Sequence, residues 1–230
     1  MKKVARALKL YIQAAAHPFV IGFGLFIMLG MSLLFILEPD PVGSKDYLTM
    51  LGSVQMGNFG LVFAIIAGNA KLQQNKFYSS CNCAKELFTI SPVTAVAVLS
   101  ILYDTLLAIS AYANLGNQGL SDTLIFNTIS SVQMIIFGGC YGKKGVTFIS
   151  VIQFIAYMTF LSFPFAVKAK SFANSIIGQT MPTAVIITVC GYIFAIAFTL
   201  VLENIWWKKG DKFAVKNKAL MAAIEASASK

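Results

Sequence analysis

Charge is what this chain has least of. Asp, Glu, Lys and Arg make up 12% of its 230 residues, and only nine residues are acidic, whereas about a quarter of an ordinary soluble domain is charged. With 57% hydrophobic residues, the composition supports a polytopic membrane protein rather than a water-exposed globule. Histidine is nearly missing: His17 is the only one, at the edge of an apolar run. There is no H-E-x-x-H, no G-x-S-x-G and no pair of carboxylates within an apolar run, so the common zinc and acyl-transfer chemistries lack their parts. Gly138-Gly-Cys-Tyr-Gly142-Lys143-Lys144 only superficially resembles a phosphate loop. Three residues rather than four separate its glycines, no Ser or Thr follows the lysine, and an apolar span stands where a strand belongs. The chain is therefore expected to be no enzyme and to bind no cofactor or metal of its own. Cysteine is sparse too: Cys81, Cys83, Cys140 and Cys190. Cys81-x-Cys83 has neither the spacing nor the partners of a zinc site. The topology below puts the first three on or near the cytoplasmic side, so reduced thiols are expected.

What is abundant is long apolar sequence, with a mean hydropathy of +0.75. A bilayer-crossing helix needs roughly 20 apolar residues. Six stretches qualify: 19–37, 47–70, 93–113, 123–140, 146–163 and 182–202. Pro, Gly and polar clusters punctuate them, notably Glu38-Pro-Asp-Pro-Val-Gly-Ser. Six spans with short loops use up the chain and leave no room for a soluble catalytic domain. Residues 1–18 precede the first span. Within them Val4, Ala7, Leu8, Tyr11, Ile12 and Ala15 recur at helical spacing, with Lys2, Lys3, Arg6, Lys9 and Gln13 mostly off that stripe. This pattern describes a basic amphipathic helix lying on a membrane surface. A signal-peptide reading fits less well, since the apolar run is too long and no small-residue cleavage site follows it.

A net charge of +9 is of the sign that binds nucleic acid, but the charges sit at the ends of apolar runs. Segments 1–18, 71–92, 141–145 and 203–230 hold every Lys and Arg except Lys45, Lys168 and Lys170. The remaining connections carry Glu38, Asp40, Asp46 and Asp122. By the positive-inside rule both termini are cytoplasmic, and no nucleic-acid partner is expected. The expected fold is an all-α membrane protein. An amphipathic helix at 1–18 precedes six transmembrane helices within 19–205, and a basic tail at 206–230 follows the headgroup-level pair Trp206 and Trp207. The location is a cell membrane, such as a bacterial inner membrane.

Polar residues inside the apolar runs are few, so each counts. Asp104, midway along the third span, is the only carboxylate well inside one, and a charge there costs at least roughly 2.5–3.5 kcal/mol. It is either a proton or cation site or, the preferred reading, a carboxylate hydrogen-bonded to a neighbour such as Asn127 or Tyr103. Gln55 and Asn58 share a face of the second span, and Gln153 and Tyr157 share a face of the fifth. Such pairs either line a translocation path or hold helices together. Ser53, Gly57, Gly60, Ala64 and Gly68 form a small-residue stripe that lets helices approach closely, for internal packing more than for a dimer seam.

The segment Lys71–Val93 is the longest polar stretch between two apolar runs. Ala84, Leu87, Phe88 and Thr89 can form one short helix with Lys85 and Glu86 on its other side, before Ser91-Pro92 restarts a span. By pattern alone this helix either docks on a soluble partner or lies on the membrane. The order of elements resembles the membrane subunit of ABC-2 class ABC transporters. Lys76-Phe-Tyr-Ser-Ser80, Ala84-Lys-Glu-Leu-Phe-Thr89 and Ser91-Pro92 are similar to the coupling-helix region of its small bacterial permeases. The resemblance implies several roles. Cys83, Ala84, Lys85, Glu86, Leu87, Phe88 and Thr89 would contact a separate ATPase subunit, which holds the ATP and magnesium. Residues 1–16 would lie near that ATPase, and 164–181 would form an outer re-entrant segment. Two permease copies, identical or related, would enclose the path. The short outer loops set the chain apart from macrolide-type exporters. The implied activity is export of a hydrophobic or amphipathic peptide, lipid or drug-like molecule. The competing readings are a substrate-capture subunit of an ATP-driven importer and a proton-coupled carrier using Asp104.

Overall fold

A computed structural model describes residues 2–15, 18–37, 39–44, 46–143, 145–162 and 176–209. Helices account for nearly all of them, and no strand occurs among the described residues. In chain order the helices are α1 (Lys2–Ala15), α2 (Pro18–Leu37), α3 (Tyr47–Val54), a 3-10 turn (Gln55–Asn58), α4 (Phe59–Gln74), α5 (Lys76–Ser80), α6 (Ala84–Phe88), α7 (Ile90–Cys140), α8 (Thr147–Ser162) and α9 (Met181–Lys208). Four helical stretches are long and apolar enough to cross a membrane: α2, the Tyr47–Gln74 rod, α7 and α9. The apolar helix α8 is shorter.

The 51-residue α7 is not straight. At Gly116 the backbone takes φ 69° and ψ −160°, a region open to glycine and strained for residues with a Cβ. The chain folds back there, and arms 90–115 and 117–140 run antiparallel. Asn127 and Ser131 of the second arm bond to Asp104 of the first, and Gly138 faces Val96. The connection expected between the third and fourth spans thus shrinks to one residue, with helix on both sides.

Three apolar clusters stack along the bundle. One end joins Tyr11 of α1, Leu72 of α4, Leu87 and Phe88 of α6, Cys140 of α7 and Trp206 of α9. The middle joins Leu61, Val96, Met134, Tyr157 and Ala195. The other end joins Phe35, Tyr47, Leu107, Phe126 and Phe160. Successive long helices therefore run in alternate directions between a loop end, which carries α5 and α6, and a hairpin end, which carries Gly116.

The polarity is inverted relative to a soluble domain. Gln55, Asn58, Asn127, Ser130 and Ser131 are buried, while Phe19, Phe26, Leu102, Ile186 and Ile193 are exposed. Apolar side chains outside and hydrogen-bonded amides inside suit a lipid solvent, and the chain has the architecture of a helical membrane protein. The small-residue stripe is used within the chain. A Cβ on Gly60 would meet the Gly24 carbonyl of α2, and one on Gly68 would meet Ala15 of α1. Backbone contact between α2 and α4 depends on these absent side chains.

Other expected boundaries move. The second span extends to Gln74 and is interrupted by the 3-10 turn. The polar segment after it holds two short helices, and α7 begins at Ile90. Helix α9 carries Trp206 and Trp207 within its regular length, and Trp206 is buried against the bundle rather than placed in an outer belt. The re-entrant segment at 164–181 lies outside the described residues up to 175, and the tail beyond 209 lies outside them altogether.

Candidate functional site

Two constructions stand out: a junction at the loop end and a polar band across the middle. The junction starts from a short helix. Five residues are far too few to hold α6 by propensity alone. Its apolar side supplies the anchor, with Ala84, Leu87 and Phe88 buried against α1, α4 and α9 residues. Side chains then satisfy its terminal carbonyls. Thr89 Oγ1 donates to the Lys85 carbonyl at 2.6 Å and Ser91 Oγ to the Glu86 carbonyl at 3.1 Å. Lys143 Nζ donates to the Phe88 carbonyl at 2.7 Å. A cation at a helix C-terminus also meets the negative end of the helix dipole.

Lys143 does more than cap. Its Nζ also donates to the Gly139 carbonyl at 2.7 Å and pairs with Glu203 Oε2 at 2.6 Å, and it lies 5.1 Å from the Trp206 ring centroid. Both partners are buried, at 2% and 0% exposure. One ammonium therefore fastens α6 to the second arm of α7 and to α9. Nearby, Tyr11 donates to Asn69 Oδ1 at 3.3 Å and Asn69 Nδ2 to the Gly138 carbonyl at 3.1 Å. Gln73 Nε2 donates to the Gly142 carbonyl at 2.9 Å. Helices α1, α4, α6, α7 and α9 thus form one cross-linked plate.

Of the residues expected to meet an ATPase, Cys83, Ala84, Leu87, Phe88 and Thr89 are buried inside this plate. Lys85 is exposed and Glu86 half-buried, and Phe77 on α5 is exposed beside them. Cys83 Sγ lies 3.6 Å from Cys81 Sγ. Burial, and then the neighbouring Cys81, push its thiol pKa up.

The polar band is organised by the 3-10 turn. Phe59 N–H bonds back to Met56 O instead of reaching Gln55 O, as an α-helix would have it. Two tyrosines add a second bond at this turn: Tyr157 of α8 donates to the Gln55 carbonyl at 2.6 Å, and Tyr103 of α7 donates to the Val54 carbonyl at 2.9 Å. Gly57 makes room, since a Cβ there would collide with the Tyr103 hydroxyl. Gln55 Nε2 donates to Asn127 Oδ1 at 2.6 Å, Asn58 Nδ2 to Ser130 Oγ at 2.5 Å, and Asn127 Nδ2 to the Asp104 carbonyl at 3.2 Å. Gln55, Asn58 and Tyr157 are thereby brought together as cross-links between helices. Gln153 is half-buried one turn away on α8 and takes no part.

Asp104 is 7% exposed. Its Oδ2 accepts from Ser131 Oγ at 2.7 Å and from the Tyr192 hydroxyl. These are not the expected side-chain partners. Asn127 reaches only the Asp104 backbone, and Tyr103 turns to Val54. At the hairpin end Asp122 is also buried, accepting from Tyr47 at 3.0 Å, Gln118 at 2.9 Å and the Gly178 N–H at 2.8 Å. Sequence reasoning missed the roles of Asp122, Lys143 and Glu203. Each sits at the end of an apolar run, where charge reads as solvated. The available signal was Glu203 itself, an acid within a C-terminal segment otherwise rich in lysine.

Among the described residues no group of three or more His, Cys, Asp or Glu could hold a metal ion. Comparisons with protein-family models, curated proteins and solved structures find no match for this chain.

Proposed function

We propose that this chain is the six-span permease subunit of an ABC-2 type exporter, driven by a separate ATPase that binds ATP and magnesium. The six spans are α2, the Tyr47–Gln74 rod, the two arms of α7, α8 and α9. The loop end is cytoplasmic, as the charge distribution expects. The observation that carries the reading is the attachment of α6. A five-residue helix with Lys85 exposed and Glu86 half-buried is locked by Leu87, Phe88 and Lys143 to α7 and α9. Such a helix transmits a push instead of absorbing it. Movement of a docked ATPase would shift the second arm of α7 and α9 as a unit, in the rigid-body manner of other switching proteins. A second permease copy completes the path, and the cargo is hydrophobic or amphipathic.

The test is purification of the tagged chain from its native membrane in mild detergent. The expected outcome is a stoichiometric ATP-binding-cassette ATPase, nucleotide hydrolysis only in the complex, and loss of that association in K85E/E86K. Stable transport by the chain alone in proteoliposomes, without nucleotide or companion, overturns the proposal.

A further inference from the structure

The two arms of α7 and the start of α9 enclose a groove of about 610 Å³, within the range of small-molecule sites. Its wall is apolar, with Ile101, Leu124, Val189 and Ile193, and Asp104 is its only charged residue. Asp104 Oδ2 is held by Ser131 and Tyr192, whereas the buried Oδ1 has no partner. A carboxylate can accept about four hydrogen bonds, and buried polar atoms are nearly always paired. Neither protonation state of the residue alone resolves this. Ionised, Asp104 is an uncompensated charge in an apolar wall; protonated on Oδ1, it carries an O–H with no acceptor; protonated on Oδ2, it leaves Oδ1 a carbonyl oxygen with no donor. The protein's own described cations are elsewhere: Lys143 is engaged by Glu203, and Lys2, Lys3, Arg6, Lys9, Lys71, Lys85, Lys208 and Lys209 are exposed at the loop end. Asn58, Ser100 and Thr123 also have unpaired buried oxygens but line neither this groove nor the other, which lies between α1, α2, α4 and α7.

We propose that this groove binds a lipophilic cation. An ammonium head pairs with Asp104, donating to Oδ1, and an apolar body lies along Ile101, Val189 and Ile193. The rings of Tyr112 and Tyr192 border the same groove and favour a cation further. A neutral alcohol would suit the wall and could donate to Oδ1 but would leave the carboxylate charge uncompensated, and an anion would be repelled. The inference deepens the exporter reading by naming its substrate class as a cationic amphipath.

The probe is radiolabelled decylammonium, bound to the purified full chain in nanodiscs of zwitterionic lipid. Saturable binding is expected, with decanol and decyl sulfate competing at least tenfold more weakly than unlabelled decylammonium. D104N, a near-isostere, is expected to lower affinity at least tenfold. I193W, which narrows the apolar part of the groove, is expected to weaken binding at least tenfold, a readout that stands whether or not D104N folds. Equal competition by decanol, or unchanged binding in I193W, overturns the proposal. No ATPase or nucleotide is present, so the outcome is independent of whether the exporter reading stands.

Discussion

Lys143 offers the sharpest test of how the loop end is built. Replacing it with Met keeps most of the stem but removes an ammonium that contacts Glu203 at 2.6 Å and the Phe88 and Gly139 carbonyls at 2.7 Å. Glu203 Oε1 already lacks a partner, so K143M leaves both oxygens of a fully buried acid unpaired. Breaking one side of a buried pair costs about 3–5 kcal/mol. For a chain of this length that corresponds to a melting shift on the order of 10 °C. The double variant K143M/E203M removes both charges and fills the space with apolar atoms, so it is expected within about 2 kcal/mol of the parent. Reversible denaturant titration in detergent micelles measures all three. Hydrogen exchange supplies the local readout, with the 84–89 amides exchanging faster in K143M. A K143M variant within about 1 kcal/mol of the parent refutes the reasoning. So does a double variant less stable than K143M itself.

Two further outcomes follow from the packing and the titration of particular side chains. Gly60→Ala places a methyl against the Gly24 carbonyl, whereas Gly30→Ala meets nothing within 4 Å. Overpacking of about 1–3 kcal/mol outweighs the gain of roughly 0.5–1 kcal/mol from a more rigid unfolded chain, so Gly60→Ala lowers the melting temperature. Gly30→Ala holds or raises it, and equal effects at the two sites contradict the close contact. For Cys83, burial disfavours the thiolate and raises its pKa over that of a free thiol. In a variant retaining only this cysteine, maleimide modification therefore stays slow at pH 8 and accelerates at a higher pH than in the unfolded chain. Coincident pH profiles would contradict the buried placement.

The four long apolar helical stretches were readable because helix period and length need no knowledge of neighbours. The amphipathic N-terminal helix was legible for the same reason, as were the proline-marked boundaries and the likelihood of close packing along the small-residue stripe. Gln55 and Asn58 were visible as polar residues on one face. Their partners Asn127 and Ser130, more than seventy positions away, were not, because only the folded bundle brings those faces together.

The end-of-run charges show the same division more sharply. Composition alone determined that this chain buries amides and exposes hydrocarbon, since a sequence this poor in charge has no other way to be solvated. Whether a given charge faces water or a partner was decided by tertiary structure. Lys143 reads as one of two adjacent lysines in a basic turn, yet the crossing of α6, α7 and α9 encloses it with Glu203. Gly116 likewise reads as one more glycine among seventeen, and the antiparallel return of α7 makes it the hinge on which the long helix folds. Local sequence sets which residues prefer lipid, and long-range packing sets which polar groups meet, because pairing energy depends on distances that no spacing along the chain contains.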